Sequence, residues 1–135
     1  MNELDRKIIN ELEKDSRQTN IEISKRLKLS EGTVRKRVHR LVDKGLLKFT
    51  VAITSKIGFT GIVLAKTSTQ VKTPTIVENM KKIEDVKEIF EVSGDADIVL
   101  KVAADSPESF NSVIEKLRGI HGVLETKTYA VLKIS

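Results

Sequence analysis

The chain has no cysteine and no tryptophan, only two prolines, and its aromatic residues make up 4% of 135 positions. Without cysteine there is no disulfide framework, no thiolate nucleophile and no cysteine zinc site. No apolar run approaches the roughly 18 residues that a membrane-crossing helix needs. The opening residues Met1-Asn2-Glu3-Leu4-Asp5 lack the basic-then-apolar order of a secretory signal. A cytoplasmic protein with no membrane partner is expected. His39 and His121 stand alone, with no spacing to carboxylates that suggests a metal. Gly94-Asp95-Ala96-Asp97 lacks the downstream glutamate of a calcium loop. No serine pairs in sequence with a plausible base, so nucleophilic catalysis has no candidate. Neither an enzyme nor a cofactor is implied.

What the chain does have is an uneven distribution of charge. Residues 1–50 hold 13 Lys/Arg against 8 Asp/Glu, whereas residues 51–135 hold 11 of each, so the whole formal charge of +5 lies in the first segment. Within residues 25–44 the count is 8 basic to 2 acidic. An anionic polymer would meet its strongest attraction there.

That segment reads as three helices. Leu4, Ile8, Ile9 and Leu12 fall on one stripe over about 3–14, with Asn2 as cap. Thr19 and Glu22 have the spacing of a capping box for a short second helix edged by Ile23 and Leu27. Lys28-Leu29-Ser30 turns the chain, and Ser30 caps a third helix over about 31–44 that closes at Gly45. Val34, Val38, Leu41 and Val42 would bury this third helix. A short helix, a tight turn and a basic helix form the layout of a helix-turn-helix, whose second member enters the major groove of double-stranded DNA. Residues near its start, Glu31, Thr33, Arg35 and Lys36, are expected nearest the bases, with Ser30 also at the DNA-binding surface. Arg37, His39, Arg40 and Lys44 are expected to face DNA further along, the arginines and Lys44 toward phosphates. Residues 46–53 carry β-type side chains and predict a strand, serving as wing or hinge, within a linker over 51–61.

Residues 62–135 predict a second domain. Strands are expected at Ile62 to Thr67, Val86 to Val92, Ile98 to Val102 and Val123 to Ile134, with helices opening at Pro74 and at Ser106-Pro107. Val77, Met80, Ile83 and Val86 recur as Ile114, Leu117, Ile120 and Val123, a constant offset of 37 residues. Two β-α-β units in tandem predict an α+β chain: a winged helix-turn-helix followed by a ferredoxin-like β-α-β-β-α-β sandwich. Helices on one side leave the other face of the sheet bare. Apolar or small residues on both parities of the last strand, Tyr129 and Val131 against Ala130, Leu132 and Ile134, imply a second copy packed there. A homodimer would also present two helix-turn-helix units to a pseudo-palindromic operator.

Taken together, these residues resemble the Lrp/AsnC family of leucine- and asparagine-responsive regulators over the whole chain. The resemblance is carried by Leu4-Asp5-Arg6-Lys7-Ile8-Ile9, by Ile23 to Ser30, by Thr33 to Leu41 with Gly45, by Val92-Ser93-Gly94-Asp95-Ala96-Asp97 and by Thr126 to Val131. It implies dimers that assemble into tetramers or octamers, and an ACT-like sensing domain that binds an amino acid between dimers. By position it implicates Gly94, Asp95, Asp97, Thr126, Thr128, Tyr129, Ala130 and Val131 as effector-binding residues. Ala96 stands where an aromatic is common in the family. Two other functions share parts of this pattern. An amino-acid-binding regulatory subunit of an enzyme would need no basic third helix, and an architectural DNA-compacting protein would use the same cations without sequence choice.

Overall fold

The computed structural model describes residues 1–52 and 58–135. The chain divides into two compact units, Met1–Ala52 and Ile53–Ser135. In the first, each helix begins at a local cap. Helix α1 (Glu3–Lys14) starts at Asn2, whose Oδ1 accepts from the Asp5 amide at 2.9 Å. Helix α2 (Asn20–Leu27) starts on the reciprocal box, with the Glu22 amide donating to Thr19 Oγ1 at 3.1 Å and the Thr19 amide to Glu22 Oε2 at 3.2 Å. Helix α3 (Glu31–Asp43) starts at Ser30. Between α2 and α3 the chain reverses at Lys28, which adopts the left-handed conformation with φ 57°, and the Leu29 amide returns to the Ser24 carbonyl. Ile8, Leu12, Ile23 and Val34 meet in the core, flanked by Leu27, Leu29, Val38 and Leu47. Val42 departs from expectation. It is exposed because it sits one residue past buried Leu41, about 100° further round the helix.

The strand expected over 46–53 is not formed at residues 46–52. Gly45, at φ 70°, closes α3 as a Schellman turn: its amide donates to the Val42 carbonyl, and the Leu46 and Leu47 amides both reach the Leu41 carbonyl, at 2.9 and 3.2 Å. Those amides complete a helix, and among the described residues no strand lies alongside 46–52 to form a ladder; β-type side chains alone do not make one. Ile53 and the part of the expected hinge at 53–57 lie outside the described residues.

The second unit runs β1 (Phe59–Thr67), α4 (Thr73–Lys81), β2 (Val86–Glu91), β3 (Ile98–Ala104), α5 (Pro107–Arg118), β4 (Val123–Ala130). The four strands pair antiparallel in the order β2-β3-β1-β4, the ferredoxin-like arrangement expected from the repeat. Alternate residues Val63, Ala65, Ile98, Leu100, Val102 and Ala104 are buried against Ile76, Val77 and Met80 of α4 and Phe110, Val113, Ile114 and Leu117 of α5. Both helices therefore cover the same face. Val63 stands directly opposite Leu100, 37 residues on, the offset that also relates the two helices.

Strand limits follow their partners. β1 begins at Phe59, inside the expected linker, and β3 continues to Ala104, because Phe59 and Thr60 pair with Ala104 and Ala103. β4 stops at Ala130 instead of Ile134. The Val131 amide still reaches the Thr60 carbonyl at 2.9 Å, one residue from where β1 begins. Within one chain β4 is an edge strand and is mostly exposed.

Gly61 is required by close approach. A Cβ there would lie 2.3 Å from Phe110 Cζ, and that ring is held edge-on against Phe59 at 4.8 Å between centroids. Gly61→Ala is expected to destabilise this unit by about 1–3 kcal/mol through overpacking, read as a lower urea midpoint at unchanged slope.

Candidate functional site

Helix α3 buries Val34 and Leu41 and turns most of its charged residues outward, but those charges are not equivalent. The Ser30 hydroxyl is engaged at the helix start, accepting from the Thr33 amide at 3.1 Å and lying 2.8 Å from Thr33 Oγ1. Arg35 donates to Glu31 one turn back, at 3.2 Å. His39 Nε2 lies 3.1 Å from Asp43 Oδ2. Arg37 reaches across to α1, where its Nη1 donates to Asp5 Oδ1 at 3.0 Å, with both side chains mostly covered. Lys36, Arg40 and Lys44 have no acidic partner among the described residues. They follow Thr33 at steps of three, four and four, so the uncompensated cations and the Thr33 hydroxyl share one stripe of α3. A stripe of this kind attracts phosphates and releases their counterions.

The second site lies on the sheet. Register places Phe90, Val99, Leu64 and Lys127 in one row of the face away from the helices, and Glu88, Lys101, Ile62 and Tyr129 in the next. At its β4 corner, beside the Gly94–Asp97 turn, a cleft of about 240 Å³ is floored by Leu64 and Ala96. It is walled by Lys66, Asp95, Glu125, Lys127 and Tyr129. Lys66 stands opposite Glu125 across the strands, leaving Lys127 and Asp95 as the ions without a cross-strand counterpart of opposite sign.

Of the residues singled out in the sequence, Asp95 and Tyr129 line this cleft. Gly94 adjoins it at φ 134°, with open space where a side chain would be. Asp97 does not line it; its Oδ2 accepts from the Thr67 amide at 2.8 Å and from Thr67 Oγ1 at 3.3 Å, fastening the end of β1. Thr126, Thr128 and Ala130 have the opposite parity to Tyr129 and pair with Ala65, Val63 and Gly61 on the helix-covered side; Thr126 Oγ1 accepts from Arg118 Nε at 3.3 Å. Val131 follows the end of β4 and is half-buried. Lys66, Glu125 and Lys127 were missed. The alternation Glu125, Lys127, Tyr129, with one parity on the bare face, was the signal that could have found them. Among the described residues no cluster of His, Asp and Glu is placed to hold a metal, and no helix is long and apolar enough to cross a membrane.

A basic helix-turn-helix followed by a ferredoxin-like sheet with a polar cleft defines a DNA-binding regulator that carries a ligand-binding domain. Known proteins agree with that class. Residues 1–48 match the winged helix-turn-helix DNA-binding family, and residues 60–135 match the Lrp/AsnC ligand binding domain. The chain is 36% identical over 135 residues to the HTH-type transcriptional regulator LysM of Sulfurisphaera tokodaii, covering 99% of this chain and 96% of that protein. It is 31% identical over 140 residues to the leucine-responsive regulatory protein of Escherichia coli, covering 98% and 85%. Among solved structures, a transcriptional regulator of Neisseria meningitidis in complex with L-Met superposes with TM-score 0.73 at 25% identity, over 98% of this chain and 90% of that one. The leucine response regulatory protein of Mycobacterium tuberculosis shares the fold, with TM-score 0.81 at 23% identity over 98% and 93%. The chain belongs to the Lrp/AsnC family of transcriptional regulators. Its relatives are regulators of transcription and not enzymes.

Proposed function

We propose that this regulator selects a pseudo-palindromic operator through α3, as a homodimer able to build tetramers or octamers, and that an amino acid bound at the sheet cleft shifts its assembly and DNA binding. Glu31, Thr33, Arg35 and Lys36 are assigned to bases, and Arg40 and Lys44 to phosphates. The observation that carries the sensing role is the cleft at the β4 corner. It joins unmatched Lys127 and Asp95 to an apolar floor, the donor, acceptor and contact surface that a zwitterion with a modest side chain requires. At about 240 Å³ it is smaller than the roughly 300–1,000 Å³ of sites for drug-sized molecules. The L-Met bound by the Neisseria neighbour supports the same ligand class.

Dimerisation is supported by the bare sheet face, where Ile62, Leu64 and Val99 lie between exposed Phe90 and Tyr129. A copy seated on that face would wall the cleft, so occupancy and assembly would be linked: the ligand favours whichever arrangement binds it better.

Calorimetric titration with a panel of amino acids tests the reading. One or a few ligands should give heat, and Lys127→Gln should weaken that binding at least about tenfold, the scale of a lost charge-assisted contact, with the circular dichroism spectrum unchanged. Absence of heat from every amino acid with the unmodified protein would remove the sensing role and leave pairing as the work of this domain.

A further inference from the structure

The basic residues of α3 look interchangeable in sequence, yet one of them is turned into the protein. The Arg37 side chain is 22% exposed and its partner Asp5 15% exposed, with 3.0 Å between Nη1 and Oδ1. The other pairs on α3 are looser in kind: Arg35–Glu31 and His39–Asp43 are both one-turn pairs within the helix, with side chains 38–77% exposed. Among the described residues, only the Arg37 ion pair ties α3 to another element.

Its far end is itself fixed. Asp5 lies in the first turn of α1, and its amide is held by the Asn2 cap at 2.9 Å. Arg37 occupies the angular border of α3. Val34 and Leu41, three residues before it and four after, face the core, while Thr33, Arg40 and Lys44 continue the outward stripe. Because each residue turns an α-helix by about 100°, a small rotation of α3 would carry the outward stripe away from the groove. Apolar side chains can slide against each other, whereas a planar guanidinium bonded to a fixed carboxylate holds one orientation.

We propose that the Asp5–Arg37 pair is a positioning device: it sets the rotation of α3 about its own axis, so that Arg37 governs sequence discrimination without touching DNA. The proposal rests on reading α3 as the DNA-facing helix. It also removes Arg37 from the phosphate contacts suggested by its neighbours.

The experiment compares a duplex selected by the unmodified protein from random DNA with a scrambled duplex of the same composition, over a range of salt. Arg37→Gln and Asp5→Asn should each lower the selected-to-scrambled affinity ratio by on the order of tenfold, the scale of one lost base contact. Both should leave the slope of log K against log salt unchanged, since no phosphate contact is lost. Arg37→Lys, which keeps the charge but not the planar fork, should recover part of the ratio and is the milder variant if Arg37→Gln folds poorly.

A phosphate-binding Arg37 gives the opposite pattern. Arg37→Gln would then flatten the salt slope by about 0.9, and Asp5→Asn, by freeing a cation, would strengthen binding to both duplexes. Either result overturns the proposal, as does an unchanged ratio in both variants. Arg40→Gln and Lys44→Gln serve as controls. If these leave the slope untouched, the reading of α3 has failed and the proposal falls with it; if they flatten it, a failure of the Asp5 and Arg37 variants belongs to the proposal alone.

Discussion

Replacing Arg40 and Lys44 together by glutamine is expected to lower affinity for any duplex by on the order of ten- to a hundredfold near physiological salt, and to flatten the slope of log K against log salt by about 1.8. The magnitude follows from counterion release: each phosphate neutralised contributes about 0.9 to the slope, and these two cations have no acidic partner to offset them among the described residues. Both substitutions lie on the exposed side of α3, so the melting temperature should hold. Arg35→Ala should behave differently, relaxing sequence preference with a smaller change in slope, because its assigned target is a base edge. Fluorescence anisotropy on selected and scrambled duplexes over several salt concentrations separates the two. An unchanged slope for the double substitution would mean that DNA lies against another face.

The second large effect is on stability. Leu100 is fully buried in β3, opposite Val63 on one side and Ile89 on the other. Leu100→Ala is expected to cost about 2–5 kcal/mol, because removing its methyl groups leaves a cavity in a sheet held rigid by both neighbours. For a unit of this size each kcal/mol moves the midpoint by about 4–8 °C. Calorimetry of the intact chain should show one transition lowered by roughly 10 °C or more. A loss below about 1 kcal/mol would mean that α4 and α5 collapse into the gap.

The helices were legible because their signals are local. Asn2, Thr19 with Glu22, Ser30 and Gly45 each fix a helix end through atoms a few residues away, and such caps can be read from sequence spacing. Strand ends depend on distant partners. Phe59 belongs to β1 because Ala104 is there to receive it, and residues 46–52 are not a strand because no strand among the described residues pairs with them. The sites divide in the same way. The outward stripe of α3 could be read from helical spacing, whereas the Asp5 partner of Arg37 sits 32 residues away in the chain and left no local mark. The Gly94–Asp97 turn marked one wall of the cleft. The opposite wall required knowing which parity of β4 faces away from the helices, and that is fixed by the pairing of Ile62 with Tyr129.

The juxtaposition of Val63 and Leu100 bears on how this domain arose. Equivalent positions of the two repeats meet at the middle of the sheet, so a local two-fold axis passes between them and relates one half of the fold to the other. Two separate half-length chains of one sequence could have met about the same axis, each supplying a β-α-β unit, before duplication and fusion joined them. On that history the covalent link replaced an ancestral self-association of the two halves.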